Sequence, residues 1–213
     1  MPGDTSSLFG TDGVRGTPGT YPLDDRTVAR LGAAAARVLP GAHPRVLAGR
    51  DTRASGAAIE RQLARGVTAA EGTLVSVGVM PTPAVSFLTA DRGFDAGIVV
   101  SASHNPFPDN GIKVLTAAGE KASAELEGRI ERLVMDESWE VPEPTEARLE
   151  NVDLRAAYVA HARRALAGTE VVSLRVAVDC ANGATSVVAP RVLREIGCDV
   201  TAINATPDGR NIN

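Results

Sequence analysis

Residues 97–113 run GIVVSASHNPFPDNGIK, and they open inside the most apolar strand candidate of the chain, residues 96–101. A strand without polar alternation is typical of a sheet that helices bury on both faces. Pro106 disfavours helical backbone at Asn105, so this strand must give way to an ordered turn. The stretch therefore predicts a buried α/β sheet whose central strand ends in a polar loop.

The polar loop is a candidate ligand site because ligands bind outside the carboxyl ends of strands in open α/β sheets. Ser103 would be presented at that edge. The pair Asn110 and Gly111 is a tight-turn signal. A further strand over residues 112–115 is expected to return Lys113 to the same edge.

Outward from this loop, apolar runs of strand length alternate with stretches of helical period. Strands are predicted over residues 45–48 and 73–79, and helices over residues 24–39, 57–70, 84–89 and 125–134. Alternation of this kind implies right-handed βαβ units. The predicted fold class is α/β, with a doubly wound mixed sheet sandwiched by helices.

A composition shift at residues 140–150, which carry two prolines and four glutamates, predicts a linker. The pattern then restarts with helices over residues 154–166 and 187–196 and strands over 176–180 and 200–203. Two strands make a poor core for an independent domain. We therefore predict a first domain over residues 1–140 and an incomplete second α/β domain over 151–213, with self-association through its exposed edge.

Composition excludes several classes of partner. The chain has 22 basic and 26 acidic residues and a net charge of −4, which provides no general basic field for nucleic acid or an anionic membrane. No apolar run reaches the roughly 20 residues that cross a bilayer, and the first ten residues lack the features of a signal peptide. The two cysteines, Cys180 and Cys198, cannot form a disulfide framework. These features predict a cytoplasmic protein.

Ser103 can be interpreted in three ways. Acyl transfer with His104 as base is disfavoured, because neighbours on an extended segment point to opposite faces and no G-x-S-x-G elbow occurs. Phosphorylation would bring about −1.5 to −2 charges, for which His104, Lys113 and the Asn105 amide are candidate donors. The third interpretation is a serine that caps a turn beside an ordinary surface histidine.

The segment SASHNP at residues 101–106 resembles the active-site serine loop of the α-D-phosphohexomutases. Five further segments are similar to that family and to its phosphoglucosamine mutase branch: FGTDGVRG at 9–16, GRDTRASG at 49–56, PTPA at 81–84, DCANGA at 179–184 and NIN at 211–213. The resemblance extends from Leu8 to the last residue.

The resemblance implies an enzyme that interconverts glucosamine 6-phosphate and glucosamine 1-phosphate through a phosphoserine and a bisphosphorylated sugar. By the same resemblance, Ser103 carries the phosphoryl group and offers an oxygen to Mg²⁺. Arg15 and Lys113 stand near the transferring group, with Arg15 as a clamp and Lys113 as proton carrier, and His104 helps to hold the loop and the phosphate. Three residues of the segment GRDTRASG, namely Asp51, Arg53 and Ser55, are expected to cap the following helix and tie loops together.

The chain also departs from the family. The family's Asp-x-Asp-x-Asp-Arg metal loop does not occur in it, nor do the domains that select the sugar and grip its other phosphate. We therefore expect no mutase turnover from this polypeptide alone. A phosphomannomutase or phosphoglucomutase, and a non-catalytic sugar-phosphate-binding module, remain alternatives. Arg15 has its own alternative, a turn arginine that pairs with Asp12.

Overall fold

The computed structural model describes residues 7–143, 146–165 and 174–213. The helices are α1 (Asp25–Arg37), α2 (Gly56–Ala69), α3 (Thr82–Asp91), α4 (Ala124–Met135), α5 (Arg155–Arg164) and α6 (Ala189–Glu195), and a 3-10 helix covers Ala184–Val187. The strands are β1 (Val14–Gly16), β2 (Arg45–Arg50), β3 (Thr73–Val79), β4 (Ala96–Val100), β5 (Asn110–Thr116), β6 (Leu149–Asn151), β7 (Arg175–Asp179) and β8 (Asp199–Ile203). Residues 1–6, residues 144 and 145 of the predicted linker and residue 166 of a predicted helix lie outside the described residues.

Six strands form one mixed sheet in the order β1-β5-β4-β2-β3-β6. The strands β2, β3, β4 and β6 run parallel, while β5 is antiparallel to both β4 and β1. The parallel strands are joined through helices, which is what a crossover between parallel neighbours requires. The prediction of an α/β fold with a mixed sheet is confirmed.

Successive residues of β2 enter different cores, which shows that helices cover both faces of the sheet. Val46 belongs to a cluster that includes Leu31 of α1, Leu63 of α2 and Ile130 of α4. Leu47 belongs to a second cluster, formed with α3 and α5. Since side chains alternate along a strand, a strand covered on both faces has to be apolar throughout.

The second part of the chain forms a two-stranded parallel sheet of β7 and β8, with α6 packed against β8. Helix α5 packs against α6 and also against α3, and its Val159 is buried in the second cluster of the large sheet. Helix α5 therefore contributes to the core of the first part of the chain. The proposed domain boundaries at residues 140 and 151 stay a prediction.

The linker predicted over residues 140–150 is wrong at its end, because Leu149 begins the edge strand β6 and packs against the first cluster. Strand β1 was not predicted at all. Each of these strands has three residues, which is too short to display a period, and each is formed by pairing with a neighbour distant in sequence.

The tight turn predicted at Asn110 and Gly111 is also wrong. Both residues lie in β5, and Asn110 is fully buried, with its side-chain amide donating to Ser55 Oγ at 2.9 Å. The reversal between β4 and β5 occurs earlier, over residues 101–109. Within the described parts of the chain, no helix is both long and apolar enough to span a membrane.

Candidate active site

Ser103 lies in the loop between β4 and β5, at the carboxyl end of β4, and its side chain is exposed. Its φ is 56°, in the left-handed region, which costs a residue with a Cβ about 1–2 kcal/mol. The Ser103 amide donates to Ser101 Oγ at 3.0 Å, and the Ser101 hydroxyl donates to Asp51 at 2.6 Å. Hydrogen bonds from neighbouring elements therefore hold the serine in a conformation that it would not adopt alone.

Arg53 makes four further hydrogen bonds to the loop that carries Ser103. Its side chain is completely buried and pairs with Asp51, with Nε 2.9 Å from the carboxylate. The two terminal nitrogens of its guanidinium donate to four carbonyl oxygens of the loop, those of Ser103, Asn105, Pro106 and Asp109. One guanidinium therefore fixes the whole backbone of the serine loop, as expected of residues that tie loops together.

Ser55 does not cap α2 as predicted. It occupies the position before the helix, but its side chain makes no capping hydrogen bond. Its hydroxyl accepts from Asn110 instead. This contact ties β5 to the loop after β2, so Ser55 supports the site through loop packing alone.

Arg15 reaches the serine loop from β1. Gly111 faces Arg15 across the β1–β5 pair, and a Cβ on Gly111 would lie 3.2 Å from Arg15 Cγ. The Arg15 guanidinium donates to Asn105 Oδ1 at 2.9 Å and forms an ion pair with Asp12 at 3.3 Å. Arg15 therefore pairs with Asp12 and also contacts the loop that carries Ser103, while its role as a clamp on the phosphoryl group stays a prediction.

Lys113 lies two residues after Gly111 on β5, so its side chain leaves the same face of the sheet as that of Arg15. Its stem passes over Gly13, where a Cβ would be 3.0 Å from Lys113 Cγ. The side chain is half-buried, and no described residue makes a hydrogen bond or an ion pair with its ammonium group. Lys113 is a cation available to an anionic ligand.

His104 follows Ser103 and is exposed. It takes no part in a hydrogen bond with any described residue, so nothing in the structure joins it to the serine hydroxyl. The arrangement is not that of a serine activated by a bonded histidine. An exposed serine on a loop that Arg15 contacts suits a phosphoryl acceptor better, since a phosphate there would meet at least one cationic donor.

The described residues do not fit a magnesium site. Among them no group of three or more His, Cys, Asp or Glu side chains could hold a metal ion. Near Ser103, Asp12 pairs with Arg15, and Asp109 accepts a hydrogen bond from Asn105 at 3.0 Å. Magnesium needs six oxygen ligands in octahedral geometry, of which the serine would supply one.

A buried ion pair lies where β2 ends, next to the loop that carries Asp51 and Arg53. Arg50 Nε is 2.9 Å from the carboxylate of Glu60, whose side chain is only 4% exposed, and Ser76 Oγ donates to the same carboxylate at 3.0 Å. Burial raises the pKa of Glu60, while Arg50 and Ser76 act in the opposite direction without cancelling it.

Sequence reasoning missed the contacts from the last residues of the chain. The side-chain amide of Asn213 donates to the carbonyl oxygens of Ser103 and Asn105 at 3.1 and 3.3 Å. The Ala54 amide donates to the Gly209 carbonyl at 3.0 Å. The motif NIN at residues 211–213 belongs to the family resemblance, but nothing in its composition indicates which loop it touches.

Comparison with known proteins places these observations in a family context. The family profile described as phosphoglucomutase/phosphomannomutase, alpha/beta/alpha domain I, matches residues 6–140. The chain is 44% identical to the phosphoglucosamine mutase of Desulforamulus reducens over 98% of its length, and 46% identical to that of Deinococcus deserti over 96%. It covers 48% and 47% of these two proteins. The chain thus spans about half the length of the curated relatives it matches.

Two solved structures agree with the fold. A phosphoglucomutase/phosphomannomutase family protein of Burkholderia thailandensis is 28% identical, with a TM-score of 0.78, and the match covers 97% of this chain and 45% of that protein. A Thermus thermophilus protein described as a phosphomannomutase is 29% identical, with a TM-score of 0.82 over 96% of this chain and 47% of that protein.

Proposed function

The chain belongs to the phosphoglucomutase/phosphomannomutase family, and from that premise we propose that it is the part of a phosphoglucosamine mutase in which Ser103 carries the phosphoryl group. The curated relatives with that name support this choice of sugar. The structural neighbour described as a phosphomannomutase is less similar in sequence, at 29% identity. The proposal concerns a complete enzyme, of which these residues would be about half.

The observation that carries the proposal is the state of the Ser103 loop. Ser103 is exposed, and its left-handed backbone is held by a hydrogen bond from Arg53 to its carbonyl. Two cations, Arg15 of β1 and Lys113 of β5, leave one and the same face of the sheet. Phosphoryl transfer needs little more from a protein than positioning and charge stabilisation. A preorganised loop beside Arg15 and Lys113 supplies both.

In the proposed reaction, a free hydroxyl of the sugar phosphate attacks the phosphorus on Ser103. The new sugar O–P bond forms as the Ser103 O–P bond breaks, the proton passes from the sugar hydroxyl to the serine oxygen, and a bisphosphorylated sugar results. The sugar then presents its other phosphate, whose phosphorus the serine oxygen attacks. The Ser103 O–P bond forms again as that sugar O–P bond breaks, and the released sugar oxygen takes up the serine proton. Dividing the transfer in this way lets the same groups act in both displacements.

We assign the neighbouring side chains roles in that cycle. Arg15 clamps the phosphoryl oxygens, since a guanidinium stays protonated and cannot serve as a base. Lys113 carries the proton that the attacking sugar hydroxyl releases, and His104 holds the phosphate from the exposed side of the loop. The substrate is a hexosamine phosphate, and the protein acts in the cytoplasm, where its two free, buried cysteines would stay reduced.

We retain Mg²⁺ as a proposed cofactor, with Ser103 as the one ligand that this part of the enzyme would offer. The described residues do not form the remainder of its site, so no step above depends on it. The second candidate function is a module that binds sugar phosphates without catalysis. The two candidates differ in whether Ser103 acquires a covalent phosphate.

Intact-mass spectrometry separates these candidates. The chain is incubated with glucosamine 1,6-bisphosphate and Mg²⁺, beside Ser103→Ala as a matched control. We expect one added phosphate on the chain, located at Ser103, and none on the variant. Binding without any added phosphate would support the module instead.

Turnover and sugar choice need the remainder of an enzyme. The chain alone is expected to show no turnover of glucosamine 6-phosphate. Replacing the matching half of the Desulforamulus reducens enzyme with residues 1–213 should give a chimera that does turn it over, and Ser103→Ala should abolish that activity. A chimera that prefers mannose phosphate would contradict the assignment of the sugar.

A further inference from the structure

The segment 206–213 lies against two loops of the large sheet. The Gly209 carbonyl accepts from the Ala54 amide at 3.0 Å, and a Cβ on Gly209 would lie 3.1 Å from the Ala54 side chain. The loop after β7 touches the same loop of the large sheet, because Thr52 Oγ1 donates to the carbonyl of Asn182 at 2.6 Å. The segment is therefore seated directly on the loop that supplies Asp51 and Arg53.

Within this segment, Asn213 alone reaches the serine loop. Its side-chain amide donates to the carbonyl oxygens of Ser103 and Asn105, which are two of the four oxygens that Arg53 also contacts. A carbonyl oxygen has two lone pairs and can accept both donors. The Ser103 and Asn105 carbonyls are thus held from two sides, by an arginine of the first part of the chain and an amide of the second.

The position of Asn213 is itself fixed by the second part of the chain. Its backbone amide donates to the Ala181 carbonyl at 2.9 Å, and the neighbouring Ile212 is buried. Ala181 follows β7, and its amide donates to Asp179 at 2.8 Å. A continuous set of hydrogen bonds therefore runs from the β7–β8 sheet to the backbone of Ser103.

We propose that Asn213 is a positioning residue for the serine loop, through which the docking of the β7–β8 unit fixes the backbone of Ser103. The consequence for phosphoryl transfer rests on the proposed function. The positioning itself does not, because it concerns only the geometry of residues 101–109. Asn213 touches no reacting atom in this arrangement.

Hydrogen–deuterium exchange on the 213-residue chain tests the proposal. The variants are Asn213→Ala, which removes the donor, and Asn213→Asp, which keeps the shape but turns an oxygen toward the two carbonyls. We expect the peptide that covers residues 101–109 to exchange about three- to tenfold faster in Asn213→Ala, and faster still in Asn213→Asp. A residue that merely fills space would tolerate the aspartate.

His43→Ala is the matched control. His43 also has a positive φ, 55° against 69° for Asn213, so both substitutions carry a similar backbone cost. Its ring forms a hydrogen bond with the Glu71 carbonyl at 3.2 Å and makes none with the serine loop or with the residues that hold Asn213. The control should leave exchange over residues 101–109 unchanged.

The outcomes distinguish this inference from the proposed function. Unchanged exchange in both Asn213 variants, or equal acceleration in His43→Ala, would overturn the positioning role. Faster exchange in the Asn213 variants would support that role even if the wild-type chain failed to accept phosphate on Ser103, a failure that would count against the function alone.

Discussion

Ser103 keeps a left-handed backbone because neighbouring residues form hydrogen bonds with its backbone amide and carbonyl in that conformation. Its amide is bonded to Ser101 and its carbonyl to Arg53, so the local cost of the positive φ is offset by contacts made elsewhere. The geometry of the site therefore depends on Arg53, a residue that has no role in the proposed reaction. Arg53 is the natural place to test how the loop is held.

Arg53→Ala should destabilise the chain by about 3–5 kcal/mol, because it leaves the buried Asp51 carboxylate without its cation and removes one donor from each of four carbonyl oxygens. The free energy of unfolding, measured in urea, checks this value. Arg45→Ala serves as the control. Arg45 also pairs with a carboxylate, but its side chain is 57% exposed, so removing it should cost less than about 1 kcal/mol. Similar losses in the two variants would contradict the role given to Arg53.

Glu60 predicts a specific dependence of stability on pH. Burial raises its pKa above the ordinary 4.5, so the folded state holds this proton more tightly than the unfolded state does. The stability that follows is fully present below the ordinary pKa and is lost as the pH rises through the raised one. Glu60 should therefore stabilise the fold less at neutral pH than in mild acid.

Glu60→Gln removes this titration. The free energy of unfolding of the chain minus that of the variant is expected to fall as the pH is raised from about 4.5 to neutral. Exposed carboxylates such as Asp153, whose pKa is lowered to about 2 by its bonds with Arg155, are common to both proteins and cancel. A difference that grows with pH would mean that the ion pair with Arg50 outweighs burial.

Among the elements, α1 and α2 approach each other through glycines. A Cβ on Gly66 would lie 1.8 Å from the carbonyl oxygen of Ala29, and one on Gly32 would lie 2.3 Å from that of Leu63. Real side chains cannot occupy such positions, so both glycines are needed for the two helices to pack this closely against each other. Helix α2 begins directly after the loop that contains Arg53, and its placement affects the site.

Gly66→Ala is expected to destabilise the fold by about 1–3 kcal/mol, because the two helix backbones would have to separate. Thermal and urea unfolding measure the loss. Gly128 in α4 provides the opposite case, since a Cβ there would meet only the end of Arg132, at 3.6 Å. Gly128→Ala should stabilise by about 1 kcal/mol through helix propensity. A gain in stability in both variants would contradict the packing argument.

At the scale of the whole molecule, the two parts of the chain differ in how well they bury their strands. The large sheet has helices on both faces, whereas β7 and β8 alternate between exposed and half-buried residues. Ile203 at the end of β8 is 47% exposed. An unpaired edge of this kind invites association with a second copy.

We therefore predict that the chain self-associates, and sedimentation velocity over a range of concentrations measures it. Ile203→Lys places a charge on the exposed edge strand and should shift the population toward monomer. Monomers at every concentration in the unsubstituted chain would contradict the prediction. Association that is unchanged in Ile203→Lys would locate the contact elsewhere.

Much of the architecture could be predicted because its signals are local. The strand over residues 73–79 was predicted to the residue, and the helices around it to within a few positions. The edge strands β1 and β6 escaped prediction because three residues carry no usable period. The turn predicted at Asn110 and Gly111 was wrong because this pair, which favours a turn, lies inside β5, where the Asn110 side chain bonds to Ser55.

The site divides in the same way. The sequence of the loop indicated Ser103, His104 and Lys113, and the family resemblance added Arg15, but neither showed how these residues are arranged. That Arg15 touches Asn105 depends on the pairing of β1 with β5, which joins residues 94 to 98 positions apart.

By itself, the sequence determined that this chain is an α/β protein with a serine at the edge of a buried sheet, because apolar period and turn chemistry act between near neighbours. Only the tertiary structure decided what holds that serine. Arg53 and Asn213 lie 50 and 110 residues from Ser103, and no local pattern specifies which carbonyl a distant guanidinium or amide will meet once the chain has folded.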